Sequence, residues 1–306
     1  MKKLLLATSF IAASTGFAAA EVAVSGYGRF GLVYNENTPV GQNDTIISSR
    51  LRINIDGKTT TDGGVELGAR LRMQYEDGDE NTAGNAAKFY GSYNGLRVEV
   101  GNVETAFDSA ALIYDSEMGF EDSSFGDPQG EFYAYDSNTY GAGNGNRTGL
   151  AVSYSAGAFS GMISYVTPDQ VNDLGVGAAE EVAINLAYVS GPFAVSAAAY
   201  QNGAGVDGND GFFVGGAYTM NEVTTIGLNY MDEDAAGGSQ ITLYGNHTMG
   251  ATTLRAYVSD LDVTGADTAF GLGADYDLGG GARVSGSIQS DWAGDMVADL
   301  GLRFNF

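Results

Sequence analysis

Apolar and charged side chains alternate along several segments of the first hundred residues. Leu51, Ile53 and Ile55 alternate with polar or charged neighbours, and residues 65–76 and 96–100 repeat the pattern. Successive side chains of a β-strand point to opposite faces, so each segment presents one apolar face and one charged face. A soluble β-sandwich would pack the apolar face on a second sheet. A closed membrane barrel would turn it to lipid and line a wet lumen with the charged face.

The alternation recurs to the end of the chain in about sixteen segments, each near the roughly 9 to 11 residues that a tilted strand needs to cross a bilayer. An even number of strands is typical of bacterial single-chain barrels. The predicted strands lie near residues 22–34, 48–58, 64–76, 88–94, 96–102, 148–155, 158–166, 180–189, 192–201, 211–219, 222–231, 239–248, 251–260, 268–277, 281–290 and 295–306.

Short and long connections alternate between these strands. Glycine-rich turns such as residues 62–64, 94–95 and 249–250 alternate with long segments such as residues 35–47 and 102–147. Tight turns at one rim and long loops at the other are typical of an outer-membrane barrel. A soluble sandwich has no reason to keep this order over its whole length, so the pattern favours the all-β transmembrane barrel with antiparallel strands.

The last strand supports the same fold. Residues 296–306 alternate in the barrel manner and the chain ends on Phe306. Pairing this strand with residues 22–34 would close the barrel and remove both free edges, with Phe306 as the closing aromatic. The predicted outward positions of the first, second, third, fifth and last strands carry no charge, as the cost of a lipid-facing Lys or Arg requires.

Residues 1–20 have the order of a secretory signal peptide. Lys2 and Lys3 precede an apolar stretch, and Ala18 to Ala20 supply small residues for cleavage, which leaves residues 21–306 as a single barrel domain. No other stretch approaches the roughly 20 apolar residues of a spanning helix, which excludes a helical membrane protein.

The charge balance excludes nucleic acid as a partner. The 14 basic residues include Lys2 and Lys3 of the leader, so the exported chain carries 12 against 38 acidic residues and a net charge of −26. Nucleic-acid binding needs basic patches that neutralise phosphates. The absence of cysteine from an exported chain of this size points to a bacterial envelope protein rather than a disulfide-rich secreted domain.

The long segment 102–147 is acidic yet rich in aromatic and aliphatic residues, which argues for a folded functional loop. We expect it to fold into the lumen and to face a basic wall, so that the gap between them is the constriction of a channel. The predicted basic wall comprises Arg29, Arg50, Arg52, Arg70, Arg72, Lys88 and Arg97, and the predicted loop acids are Glu104, Asp108, Asp115, Glu117, Glu121 and Asp122. The alternative is that these are scattered charges on an exposed sheet face.

The chain resembles the general-diffusion porins of alphaproteobacteria, in particular those of purple photosynthetic bacteria. The resemblance rests on the leader, the Arg-Leu-Arg pairs at residues 50–52 and 70–72, the long acidic loop, and the stretches 276–281 and 295–306. It implies a sixteen-stranded barrel, a homotrimer in the outer membrane in contact with lipid and lipopolysaccharide, and a third loop that forms the eyelet. The chain departs from the pattern in its few basic residues beyond Arg147, namely Arg255, Arg283 and Arg303.

Other motifs give weaker indications. The resemblance also implies structural calcium among loop carboxylates, and the oxygen-rich stretches 77–80, 207–210 and 232–234 offer candidates, although such stretches are more often solvated turns. No other cofactor is expected. His247 with Ser239 could serve a hydrolase, but a lone histidine on a strand is more often a packing residue. Trp292 fits either an interfacial girdle with tyrosines such as Tyr34, Tyr75 and Tyr165 or core packing.

These features predict a water-filled channel for passive diffusion of small hydrophilic solutes and ions, with modest cation preference and no enzymatic activity. Sixteen strands leave an aqueous lumen where eight would be filled by side chains. Two alternatives remain. A substrate-specific barrel would need an aromatic or basic track, which the lumen-side Tyr27, Tyr90, Tyr200 and Tyr257 do not obviously form. A structural or adhesive β-protein would need no lumen.

Overall fold

The computed structural model describes residues 20–78, 83–137, 145–234 and 238–306. The predicted leader up to residue 19 lies outside the described residues, as do Asp79 and Glu80 of one candidate calcium stretch and positions 138–144 of the long loop. Among the described residues, no helix is long and apolar enough to cross a membrane.

The structure consists of strands, with one 3-10 turn at Gly203–Gly205. The strand segments are β1 (Glu21–Asn35), β2 (Thr45–Thr60), β3 (Glu66–Glu76), β4 (Ala83–Gly84), β5 (Lys88–Tyr93), β6 (Leu96–Gly101), β7 (Thr148–Ala156), β8 (Phe159–Thr167), β9 (Glu181–Ser190), β10 (Phe193–Gln201), β11 (Gly211–Met220), β12 (Thr224–Glu233), β13 (Gly238–Met249), β14 (Thr252–Leu261), β15 (Ala269–Gly279), β16 (Ala282–Ser290) and β17 (Met296–Asn305).

All segments form one antiparallel sheet that closes on itself. Each strand pairs with its neighbours in sequence, and β17 pairs with β1. Both β4 and β5 pair with β3, so they are two parts of one stave and the barrel has 16 strands, which confirms the predicted fold. At the seam Gly26 and Phe306 exchange backbone hydrogen bonds of 2.9 and 3.1 Å, so the chain end completes the closure.

The two faces of the barrel differ as the alternation predicts. Outward aliphatic side chains such as Val22, Leu32 and Leu186 are 62%, 52% and 63% exposed, while their strand neighbours point inward. Tyrosines in the strand ends near the long loops, such as Tyr34, Tyr75 and Tyr165, are exposed. At the short-turn end, outward rings pair across strands; these pairs are Phe159 with Tyr188 and Phe193 with Tyr218, at centroid distances of 4.6 and 4.9 Å. Both rims therefore carry an aromatic girdle.

Trp292 belongs to the interior packing rather than to these rims. It lies half-buried against the cluster that contains Met118, Tyr244 and Tyr257. Inward tyrosines of this kind lie over glycines of the neighbouring strand: a Cβ at Gly227 would lie 2.1 Å from Cζ of Tyr244. The hydrophobic core is therefore inside the barrel, where the long loop packs against one half of the wall.

Candidate functional site

Residues 102–137, the first part of the long loop, fill the half of the lumen that faces β8 to β15. Phe107 is fully buried, and its ring lies 4.6 Å from the ring of Phe132 and 4.7 Å from that of Tyr200 on β10. Ile113 of the loop and Phe213 of β11 belong to the same buried cluster. Burial of these apolar side chains removes them from water inside the barrel, so the loop docks on this wall by the hydrophobic effect.

Polar side chains of the same wall bind the main chain of the loop. The hydroxyl of Ser164 accepts a hydrogen bond of 2.8 Å from the amide of Ala106, and Asn229 donates one of 2.8 Å to the carbonyl of Leu112. Gln240 accepts a hydrogen bond of 2.8 Å from the amide of Gln129. The irregular loop pairs only some of its backbone groups with one another, and these inward side chains satisfy others that would otherwise be buried without partners.

The opposite wall carries the predicted basic residues, and strand register brings two of them together with Arg303, which was not predicted. Arg29 of β1 lies directly opposite Arg50 on β2 and Arg303 on β17. Arg50 forms an ion pair with Glu76, and Arg29 approaches the same carboxylate at 3.5 Å. Like charges at adjacent positions repel each other, so the shared carboxylate of Glu76 offsets the repulsion between Arg29 and Arg50.

Stacking on tyrosines fixes two further arginines. Arg52 donates a hydrogen bond of 2.7 Å to Gln74, and its guanidinium lies 5.1 Å from the ring centroid of Tyr27. The guanidinium of Arg303 lies 4.1 Å from the same centroid. Arg72 lies 4.2 Å over the ring of Tyr135, a residue of the long loop. Cation–π contacts of this kind orient a guanidinium without neutralising it.

The remaining predicted basic residues lie towards the short-turn end of the barrel. Arg70 binds Asp56 through two hydrogen bonds of 2.7 and 3.1 Å. Lys88 approaches both Glu99 and the loop residue Glu104, at 3.4 and 3.2 Å. Arg97 pairs with Glu99 at 2.6 Å.

The tip of the loop reaches across the lumen to the basic wall. Glu121 lies 3.7 Å from Arg29 and accepts a hydrogen bond of 2.7 Å from Ser48. Asp122 forms ion pairs with both Arg283 and Arg303. These two arginines lie outside the predicted basic wall, although closure of the barrel puts β17 beside β1 and β16 beside β17.

The comparisons with known proteins agree with this geometry. The Gram-negative porin family matches residues 7–292. The porin of Fuscovulum blasticum is 53% identical over 290 residues, which cover 94% of this chain and 100% of that protein. The chain belongs to the Gram-negative porin family. The porin of Rhodobacter capsulatus is 30% identical over 318 residues, with 94% of this chain and 100% of that protein covered.

Solved structures are similar to this porin throughout. A mutant of the Rh. blastica porin superposes with a TM-score of 0.90 at 52% sequence identity, covering 93% of this chain and 100% of that one. A structure described under asymmetric conductivity of engineered proteins gives 0.91 at 53%, covering 94% and 100%. The molecule is therefore an outer-membrane β-barrel of the predicted type and forms a porin channel.

The other three predicted loop acids of the porin have different surroundings. Asp108 accepts a hydrogen bond of 2.8 Å from Tyr114, and Asp115 accepts one of 3.4 Å from Tyr244 of the wall. The partners of these two carboxylates are therefore tyrosines rather than arginines. Burial, with the nearby charges of Asp127 and Asp122, raises the pKa of Glu117 to about 9. The loop therefore carries less negative charge at neutral pH than its carboxylate count suggests.

Two weaker predictions of the sequence concern other sites in this porin. Among the described residues, no group of three or more Asp, Glu, His or Cys side chains is arranged to hold a metal ion. In the stretch 207–210, Asp210 accepts a hydrogen bond of 3.1 Å from the amide of Asn202. Structural calcium therefore remains a prediction without an assembled site in this part of the chain.

His247 does not pair with Ser239. Its Nδ1 lies 2.7 Å from the hydroxyl of Thr224. Ser239 lies near the opposite end of β13, and a strand rises about 3.4 Å per residue, so the two side chains are separated by roughly 27 Å. The geometry of a hydrolytic pair is therefore missing between these residues.

Proposed function

We propose that this porin lets small hydrophilic solutes and ions cross the outer membrane by passive diffusion, with a modest preference for cations. The gap that the loop leaves along the basic wall, beside the contacts of Glu121 and Asp122, carries this proposal. Because the loop packs against the wall from β8 to β15, solutes pass on the side of Arg29, Arg50 and Arg52. Glu121 pairs with Arg29, and Asp122 pairs with Arg283 and Arg303, so carboxylates meet guanidinium groups at the edge of this gap. The resulting field favours polar solutes that keep their water.

The overall charge supports cation preference. A net charge of −26 on the exported chain enriches cations at the mouths, an effect that salt weakens because the Debye length is about 10 Å at 0.1 M. The arginines of the gap oppose this enrichment, and neutralisation of Glu117 removes part of the negative charge near them. We therefore expect a modest preference rather than a strong one.

The lumen gives little support to a sugar-specific or other substrate-selective barrel. Tyr200 and Tyr257 are 2% and 4% exposed beneath the loop, and Tyr27 and Tyr90 carry guanidinium groups over their rings. These four tyrosines therefore do not form an open track on which sugar rings could stack. We further propose the homotrimer, the cleaved leader and the contacts with lipid and lipopolysaccharide that the porin family implies.

Single-channel recording in planar bilayers tests the proposal. The wild type is compared with a variant in which Arg50, Arg52, Arg70 and Arg72 are all changed to glutamine. We expect large ohmic steps, grouped in threes if the protein is a trimer, and a further shift towards cations in the variant. Folded, inserted protein without conductance would contradict the diffusion channel, and a clear anion preference at low salt would contradict the selectivity.

A further inference from the structure

A second charged cavity lies in the lumen, on the short-turn side of the loop tip. It has a volume of about 510 Å³ and is lined by four basic and four acidic side chains. The loop enters the cavity through Glu104, and β2, β3, β5 and β6 supply charged residues that include Arg70, Lys88 and Glu99. We call it the lower cavity. Its formal charges balance, unlike those of the whole chain.

Short contacts hold the charges of the lower cavity in place. The guanidinium of Arg97 lies 3.6 Å from the ring centroid of Tyr90, and its Nε binds Glu99 at 2.6 Å. Arg70 is held by Asp56 through two parallel hydrogen bonds. Charged groups fixed in advance lose little conformational entropy when a ligand arrives, so the cavity is preorganised for a charged solute.

One buried carboxylate in the cavity wall has unused hydrogen-bonding capacity. Glu99 is 7% exposed, and its Oε1 lies near both Lys88 and Arg97. Its Oε2 is buried and has no hydrogen-bond partner among the described residues. The negative charge of this buried carboxylate is therefore incompletely compensated, which favours a cationic group of a solute in the adjoining cavity. Arg97 remains one-third exposed and can take a carboxylate.

We propose that the lower cavity is a transient binding site for small zwitterions of the amino-acid class. A net anion or cation would meet repulsion from half of the balanced charges, whereas a zwitterion can place its ammonium near Glu99 or Glu104 and its carboxylate near Arg97. The cavity is several times larger than the smallest amino acid, so water and solute fit together. This inference rests on the proposed diffusion function and adds a solute class to it.

Glycine and its uncharged isomer glycolamide provide a matched pair of probes. Their influx into liposomes that contain the purified porin is measured by rapid filtration over a range of concentrations. Because binding sites saturate, we expect glycine influx to level off with concentration while glycolamide influx stays proportional. At low concentration, glycine should enter about threefold faster than glycolamide, a modest factor because the charges are partly solvated.

Three variants locate the effect. Arg97→Gln should abolish the saturation and bring the influx ratio close to one, and Arg97→Lys should restore part of it. Arg255→Gln removes another ion-paired guanidinium of the lumen that does not line the lower cavity, so it should leave the ratio unchanged.

The two proposals can fail separately. Equal, unsaturable influx of both isomers in the wild type would overturn the zwitterion site and leave the diffusion channel standing. Saturation that is as strong in Arg97→Gln as in the wild type would also overturn it. Absence of influx of either isomer, together with absence of conductance, would overturn the diffusion channel itself. If Arg97→Gln does not fold, the wild-type concentration series and Arg97→Lys still decide the question.

Discussion

Replacement of Asp122 by asparagine tests how the loop tip controls the channel. Asp122 is 27% exposed and pairs with Arg283 and Arg303, which are 32% and 18% exposed. Exposed ion pairs contribute about 0.2 to 1 kcal/mol and charge-assisted hydrogen bonds about 1.5 to 3 kcal/mol, so these half-buried contacts together stabilise loop docking by about 1 to 2 kcal/mol. Asparagine keeps an acceptor oxygen but loses the charge.

The same substitution removes one negative charge from the gap, so the net charge there becomes more positive by one unit. At a distance of roughly 7 Å in water, a unit charge changes the energy of a passing ion by about 0.6 kcal/mol, and screening at 0.1 M salt about halves this. Cations are disfavoured and anions favoured by about 0.3 kcal/mol each, so the cation-to-anion permeability ratio should fall about threefold.

Reversal potentials in a potassium chloride gradient measure this ratio. The control is Asp173→Asn, which removes the same charge from an exposed position in the connection between β8 and β9. Arg303→Gln should move the ratio in the opposite direction. A ratio for Asp122→Asn that equals that of Asp173→Asn would refute the placement of Asp122 at the gap.

Three further predictions follow from the loop and its wall. Phe107→Ala should weaken loop docking by about 3 to 5 kcal/mol and increase amide exchange in the loop, whereas the lipid-facing Phe159→Ala should not. Because the folded-state pKa of Glu117 lies above its ordinary 4.5, docking should weaken as the pH rises towards about 9, and cation preference should increase there in the wild type but not in Glu117→Gln. Gly227→Ala forces a Cβ against Tyr244 and introduces a strain of about 1 to 3 kcal/mol, which should lower the thermal midpoint of unfolding. Tyr244→Leu should partly relieve this strain.

The strands could be predicted from the sequence because each carries its own alternation and ends at turn residues. The predicted bounds of the sixteen staves agree with the structure to within a few residues. The one strand segment that the sequence pattern did not predict, β4, is two residues long and carries no alternation. After it, Asn85 pairs with the backbone of Arg72 through both its amide and its side chain, which interrupts the ladder before β5.

The basic wall could be proposed from the sequence for a similar reason, because its members occupy the inward-facing positions of consecutive strands. Arg283 and Arg303 join it across the barrel seam, where neighbours in space are far apart in sequence. The path of the loop had no local signal. Its backbone is held by side chains such as Asp299, which accepts a hydrogen bond from the amide of Phe120, 179 residues away. Such pairs become visible only when the barrel is closed.

The central claim is that solutes pass through the gap that the loop leaves along the basic wall, and not behind the loop. The chain has no cysteine, so single cysteines can be introduced at Arg52 on the basic wall and at Thr242, which is 1% exposed beneath the loop. A bulky thiol reagent is then added during single-channel recording. We predict a stepwise fall in conductance for Arg52→Cys and none for Thr242→Cys. An equal fall at both positions would contradict the account.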